Sequence, residues 1–152
     1  MKTFLWLLAG ILAMNLPVNA QKSVLPKKIT NAFEYRFPAV KKVKWEKENE
    51  TSWEASFKMG KTRYSAEFDT EGNWLATEHR IRKSDLPEAV LKMLETDYSG
   101  YKLDEAELVD TPDGHFFELE LEKGKGKRET EIELLVTPSG EVITSEETVG
   151  DD

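Results

Sequence analysis

The chain has 152 residues, of which 33% are charged and 10% are aromatic, and its formal net charge is −8. This composition is typical of a globular protein, and its acidic balance opposes binding to nucleic-acid phosphates. The sequence contains no cysteine, which excludes a disulfide framework, a cysteine nucleophile and lipid attachment through cysteine.

Residues 1–20 have the pattern of an export signal. Lys2 supplies the positive charge, an apolar run follows over residues 4–14, and small residues stand at positions 18–20 before a cleavage site. The apolar run is short for a transmembrane anchor. We therefore expect cleavage after Ala20, a periplasmic or secreted location, and no stable membrane insertion of the mature chain.

The mature chain resembles two copies of one unit, residues 21–83 and residues 84–149, followed by a tail at residues 150–152. Each copy opens with a Leu-Pro pair and an apolar stripe of four-residue spacing, which predicts an amphipathic helix. Because a unit of about 60 residues buries a core only marginally, we expect the copies to pack together. At a constant offset of 61, the two stripes are Leu25, Ile29, Phe33 and Phe37, and Leu86, Val90, Leu94 and Tyr98.

The two helices are predicted over residues 26–36 and 86–96. Each has a proline in its first turn, Pro26 or Pro87, and proline suits that position because its missing N–H needs no partner there. Asp85 is predicted to cap the second helix, since a carboxylate accepts hydrogen bonds from the free N–H groups of a helix start.

Alternating apolar and polar residues after each helix predict four antiparallel strands per copy, covered on one face and open to solvent on the other. The predicted fold class is therefore α+β, a tandem repeat of a helix followed by a four-stranded antiparallel sheet, with the helices packed on one face. Whether the two sheets join is left open. The predicted inward residues are Val43, Trp45, Trp53, Ala55, Phe57, Tyr64, Ala66, Phe68, Trp74, Ala76, Ala106, Leu108, Phe117, Leu119, Leu121, Ile132, Leu134, Val136 and Val142.

Charge is divided unevenly between the copies. Residues 21–83 contain 14 Lys and Arg against 9 Asp and Glu, whereas residues 84–152 contain 6 against 20. The open face of the second sheet is predicted to be a solvated surface, a surface for a basic partner, or a loose divalent-cation site. Phe116, Tyr101 and Trp74 are candidate aromatic anchors for a partner. The predicted acidic residues are Glu105, Glu107, Glu118, Glu120, Glu122, Glu129, Glu131 and Glu133.

Catalytic patterns are missing from the sequence. His79 and His115 lie in different copies and outside any zinc-binding spacing. No serine occupies a Gly-x-Ser-x-Gly motif, and no glycine-rich phosphate loop is present. We therefore predict that the protein is not an enzyme and uses no cofactor and no dedicated metal site.

Three segments carry a family resemblance: Val43-Lys44-Trp45-Glu46, Tyr64-Ser65-Ala66-Glu67-Phe68-Asp69-x-x-Gly72, and Leu135-Val136-Thr137-x-x-Gly140-Glu141-Val142. With the Leu-Pro-led helices they resemble the PepSY-like, β-lactamase-inhibitor-like proteins of bacterial envelopes. The resemblance implies tandem helix-plus-four-strand units, export, and binding or inhibition of another envelope protein. The β-lactamase inhibitor itself is disulfide-bonded, and this chain departs from it in having no cysteine.

The resulting functional prediction is an exported, non-catalytic protein-binding module that inhibits or regulates another envelope or secreted protein. One alternative is a periplasmic protein that binds a small molecule or divalent cation on the acidic face of the second copy. The other alternative is a structural envelope protein without a specific ligand.

Overall fold

The computed structural model describes residues 24–124 and 130–149. The predicted signal at residues 1–20, its cleavage site, Glu129 and the tail at residues 150–152 lie outside the described residues. In chain order the elements are α1 (Lys27–Arg36), β1 (Val43–Lys47), β2 (Ser52–Met59), β3 (Thr62–Asp69), β4 (Trp74–Arg80), a 3₁₀ turn (Lys83–Asp85), α2 (Glu88–Asp97), β5 (Lys102–Thr111), β6 (Gly114–Lys123), β7 (Thr130–Val136) and β8 (Val142–Val149).

The strands form one eight-stranded antiparallel sheet in the order β1 to β8. The prediction of a mixed helical and antiparallel-sheet protein is confirmed, and the question of two sheets or one is answered by a single continuous sheet. The two halves join where β4 pairs with β5, from Thr77 opposite Asp110 to Arg80 opposite Glu107. No helix in the described ranges is long and apolar enough to span a membrane.

Both helices pack on the same face of the sheet, which we call the helix face; the other is the open face. Ile29 and Phe33 of α1 are buried against Trp53, Ala55, Phe57, Ala66 and Phe68 of β2 and β3. In the second half, α2 is buried against the inward residues of β5, β6 and β7. The apolar stripes and most of the strand alternation therefore describe the core correctly. Val43 and Val142, which the same alternation predicts to point inward, are exposed on the two outer strands of the sheet, so that part of the prediction is wrong. The α2 core residues are Val90, Met93 and Leu94.

The start of α2 differs from the prediction. Pro87 occupies the position before the first helical residue, and no side chain caps this helix. Asp85 instead belongs to the 3₁₀ turn, where its carboxylate accepts hydrogen bonds from the backbone N–H and the guanidinium of Arg82. The capping prediction for Asp85 is therefore wrong, because this carboxylate closes the turn that precedes α2.

A β-bulge between β3 and β4 changes which side chains reach the open face. Phe68 pairs with Trp74, but the next pair along β3 is Glu67 with Ala76, so Leu75 is an extra residue in β4. Ala76 consequently shares the open face with Glu67, and the prediction that Ala76 points inward is wrong. Trp74, before the bulge, packs against the α1 core as predicted.

Two glycine turns hold hairpins against the helices. Gly72 follows β3 with φ +86°, and Gly140 follows β7 with φ +83°. A Cβ atom on Gly72 would lie 3.0 Å from the carbonyl oxygen of Lys28, and one on Gly140 would lie 2.8 Å from that of Ala89. Each hairpin therefore approaches the first turn of the helix in its own half, at a distance that a side chain would prevent.

Candidate functional site

A row of carboxylates crosses the open face of the second half. Glu105 lies opposite Glu120, Glu120 opposite Glu133, and Glu133 opposite Glu146. We call Glu105, Glu120, Glu133 and Glu146 the glutamate row. Like charges directly opposite each other across strands are destabilising. The row is therefore a costly arrangement for the isolated fold.

The other predicted glutamates within the described residues flank this row. Glu107 lies opposite Glu118 on one side, and Glu122 lies opposite Glu131 on the other. The structure therefore brings seven of the eight predicted glutamates to the same face. Glu129, the eighth, lies outside the described part of the chain.

Glu146 and Glu78 belong to this surface, although strand alternation in the sequence does not predict them there. A bulge between β7 and β8, at Leu135 and Val136, shifts the alternation of β8 and turns Glu146 to the open face. The bulge in β4 does the same for Glu78, which lies opposite Val109. Simple alternation counted from the strand starts places both residues on the wrong face. Regular pairing from Val136 opposite Val142 would place Ser145 opposite Glu133, so no local signal in the sequence indicates Glu146.

Burial of several of these carboxylates perturbs their ionisation. Burial, together with the charges of Glu118 and Glu107, raises the pKa of Glu78 to about 8. Burial followed by repulsion from Glu107 and Glu133 raises the pKa of Glu118 to about 7. The pKa values of Glu107, Glu120 and Glu133 are also raised, in each case mainly by burial. The open face therefore holds carboxyl groups that gain protons near neutral pH.

Two cations offset part of this charge. The Nζ of Lys102 on β5 lies 3.7 Å from a carboxylate oxygen of Glu122, which flanks the row. The guanidinium of Arg80 forms an ion pair with Glu105, at the end of the row nearest the first half. Among the described residues, Glu120, Glu133 and Glu146 form no such ion pair. The free negative charge is therefore concentrated on β6, β7 and β8.

A small apolar patch lies beside the row. Val109 pairs with Phe116, and Leu135 pairs with Glu118 on the neighbouring strands. Val109 is buried, whereas Phe116 and Leu135 are half-buried on a face that no described helix covers. The open face thus has an apolar patch at one end of its carboxylates, next to the β5–β6 turn.

The three predicted aromatic anchors lie in different places. Phe116 shares the open face with the glutamates. Trp74 packs on the helix face, where its Nε1 donates a hydrogen bond to Thr77 Oγ1 at 2.8 Å and the Arg36 guanidinium lies 3.3 Å from the ring centre. Tyr101 packs at the edge of the α2 core, 6.1 Å from the ring of Tyr98. Only Phe116 is placed to contact a partner of the open face.

Within residues 24–124 and 130–149, no group of three or more His, Asp or Glu side chains is arranged to hold a metal ion. The two histidines have different neighbours. His115 hydrogen-bonds to Asp110 beside the β5–β6 turn, and the ring of His79 lies 4.7 Å from that of Tyr64.

The chain is similar to known proteins in sequence and in fold. Residues 51–144 match the family described as "Putative beta-lactamase-inhibitor-like, PepSY-like". The chain belongs to this PepSY-like family. No curated protein matches the chain significantly.

Several solved structures share the fold of this PepSY-like chain. A DUF2874 family protein from Bacteroides uniformis is 22% identical with a TM-score of 0.72, over 80% of this chain and 88% of its own. A BLIP-like protein from Bacteroides fragilis is 20% identical with a TM-score of 0.70, over 87% of this chain and 92% of its own. A protein from Bacteroides eggerthii, described in the words "putative periplasmic proteins", is 17% identical with a TM-score of 0.72, over 85% of this chain and 93% of its own. These similarities establish the fold.

Proposed function

We propose that this PepSY-like chain is an exported, non-catalytic protein-binding module whose open face docks on another envelope protein and inhibits or regulates it. The observation that carries the proposal is the glutamate row beside Val109, Phe116 and Leu135. Opposed like charges cost stability in the free protein. A positively charged partner would remove that cost on binding.

The chemistry of the face defines the partner. Protein interfaces combine apolar contacts with polar and charged ones, and aromatic side chains carry a large share of the binding energy. The matching partner surface is basic, with an apolar protrusion that contacts Phe116. Complementary charge would also accelerate association, so binding should weaken as salt is added.

Three further observations support the wider proposal. The export pattern at residues 1–20 agrees with the description of the Bacteroides eggerthii protein as periplasmic. The family description contains the words "beta-lactamase-inhibitor-like", which point to an enzyme as the partner. The bulges in β4 and β8, and the glycine turns at Gly72 and Gly140, occupy equivalent places in the two halves. They support a duplication of one helix-plus-four-strand unit, with its boundary near residue 84.

The test is affinity capture from an envelope extract with the chain produced from residue 21 onward. The captured protein is then identified, purified and titrated against three forms of the chain. The first is the parent, the second carries Glu120→Gln, Glu133→Gln and Glu146→Gln, and the third is a matched control. Each substitution removes one free carboxylate of the row, so we expect the second form to bind at least tenfold more weakly at low salt.

The control carries Glu34→Gln, Glu88→Gln and Glu95→Gln, which remove the same charge from exposed positions on the helices. It should bind like the parent. Equal weakening of both variants would show that net charge, not the open face, governs binding and would contradict the proposal. If no protein is captured and calcium instead raises the melting temperature, the cation-binding alternative gains support.

A further inference from the structure

Four strand ends and one helix end meet at one end of the first half. Because β1 to β4 are antiparallel neighbours, β1 begins, β2 ends, β3 begins and β4 ends at the same end of the sheet. The last turn of α1 lies there too, since the rings of Phe37 and Phe57 are 4.7 Å apart and Phe57 lies opposite Val43, the first residue of β1. We call the two segments that meet here, residues 35–44 and residues 58–63, the basic end.

The basic end contains cations and no acids. Its two segments contain seven Lys and Arg and no Asp or Glu, in a chain whose net charge is −8. Lys58 lies directly opposite Arg63, and like charges opposite each other cost stability unless a negative group lies close to both. Among the described residues, these two side chains and three exposed lysines form no ion pair. The three lysines are Lys41, Lys42 and Lys61.

The surrounding carboxylates leave most of this positive charge uncompensated. Glu46 is paired with Lys44, and Glu105 is paired with Arg80 on β4. Glu34, which directly precedes the first segment, is exposed and forms no ion pair among the described residues. The glutamate row lies in the other half, on β5 to β8. An anionic surface would therefore attract the basic end and repel the second half, which orients the molecule.

Exposed apolar side chains stand among these cations. Tyr35 is 90% exposed, Met59 is 38% exposed and Val43 is 37% exposed. Aromatic and aliphatic groups beside Lys and Arg are typical of protein surfaces at the lipid–water interface. There the apolar groups enter the headgroup layer while the cations contact lipid phosphates. A purely ionic partner would leave the three apolar side chains in water, so the combination favours a lipid surface.

We propose that the basic end docks the chain on the surface of an anionic phospholipid membrane. Lipid phosphates contact Lys58, Lys61 and Arg63, while Tyr35 and Met59 enter the headgroup layer. Each Lys or Arg near such a surface strengthens attachment about fivefold. Because the glutamate row lies in the other half, docking leaves it free for a protein partner. This membrane surface is separate from the protein-binding surface proposed above and does not depend on it.

The test is a flotation assay of the chain from residue 21 onward with vesicles of two compositions. One contains equal parts of phosphatidylglycerol and phosphatidylcholine, and the other contains phosphatidylcholine alone. We expect the chain to float with the anionic vesicles only, and salt at about 0.5 M should abolish this binding. Equal binding to both compositions, or no binding to the anionic vesicles at low salt, would overturn the proposal.

Soluble polyglutamate, added as a competitor, separates a lipid surface from an acidic protein as the partner. It supplies negative charge but no headgroup layer for the apolar side chains. We expect the chain to stay on the anionic vesicles when the concentration of added carboxylate equals that of lipid charge. Full displacement under this condition would indicate an acidic protein partner and would contradict the proposal.

A pair of charge-matched variants tests the assignment of the cations. Lys61→Gln with Arg63→Gln should weaken binding to the anionic vesicles at least tenfold, because two phosphate contacts are lost. Lys27→Gln with Lys47→Gln removes the same charge from exposed positions at the first residue of α1 and the last residue of β1, away from the basic end. This control should bind like the parent. Equal weakening of both variants would show that net charge governs binding and would overturn the assignment.

A fluorescent substitution tests the apolar contact. Met59→Trp places an indole ring at the β2–β3 turn, and its emission should shift to shorter wavelength when anionic vesicles are added. Val142→Trp, at a residue of similar exposure on β8, is the control and should show no shift. The parent chain gives the background from its own tryptophans. Unshifted emission from vesicle-bound Met59→Trp would mean that this end does not face the lipid, and the proposal would be wrong.

Discussion

Replacing Glu78 with glutamine is expected to raise the free energy of unfolding by about 4–5 kcal/mol at pH 8.5 and by less than about 1 kcal/mol at pH 5. Glu78 has a pKa of about 8 in the folded protein, because burial and nearby glutamates oppose its charge. In the unfolded chain the group has its ordinary value of 4.5. Between these two values the folded state binds more protons, so ionisation of Glu78 costs stability as the pH rises.

The direction of this effect follows from proton linkage. Below pH 4.5 the carboxyl is protonated in both states and imposes no penalty. Between pH 4.5 and about 8 the parent loses stability at roughly 1.4 kcal/mol per pH unit for each such carboxyl. Glu118, with a pKa of about 7, adds a smaller loss in the same direction. Glutamine cannot ionise, so the variant avoids the Glu78 part of the loss.

The measurement is urea unfolding followed by tryptophan fluorescence at pH 5 and pH 8.5. Glu95→Gln, an exposed substitution on α2, is the control and should shift neither midpoint appreciably. If Glu78→Gln destabilises the protein equally at both pH values, the carboxyl has a favourable charged interaction on the open face. The protonation argument would then be wrong.

Gly140→Ala is expected to lower the free energy of unfolding by about 3 kcal/mol. At φ +83° a non-glycine residue is already strained, and the new Cβ would lie 2.8 Å from the carbonyl oxygen of Ala89. That oxygen belongs to the backbone of α2 and cannot rotate away. The β7–β8 hairpin would have to move off the helix, which would loosen the packing under the glutamate row.

Gly60→Ala provides the comparison. Gly60 also has a positive φ, +62°, but no described residue other than Gly60 and its two chain neighbours has an atom within 4 Å of the position that a Cβ would occupy there. This substitution should therefore cost only the backbone strain of a non-glycine residue at positive φ, about 1 kcal/mol. Chemical denaturation of both variants separates the two contributions. Equal losses would mean that the contact between the turn and α2 is unimportant.

Much of the fold follows from local sequence patterns. Each helix contributes a stripe whose four-residue spacing is visible in the chain, and its central residues, such as Phe33 and Val90, are buried as expected. Alternation within β6 likewise predicts that Phe117, Leu119 and Leu121 point inward and that the glutamates between them point outward. These features are predictable because burial on one side of an element imposes a period on its own residues.

The candidate sites are only partly predictable. Glu120 and Glu133 are predictable because β6 and β7 alternate regularly through these positions. Glu78 and Glu146 are not, because each follows a bulge, and a bulge reverses the faces of every later residue in its strand. Alternation likewise predicts solvated positions for Lys58 and Arg63, but nothing local to these residues indicates that the β3–β4 ladder ends at Ser65.

The sequence by itself determined the two apolar helix stripes, the alternating strands and the excess of glutamate in the second half, because each depends on residues close together in the chain. Only the tertiary structure decided that β4 pairs with β5 to make one sheet, that two bulges turn Glu78 and Glu146 outward, and that the sheet opens beside Tyr64. These features depend on pairing between strands and on sheet twist. Such contacts join residues distant in sequence and leave no periodic pattern in either strand alone.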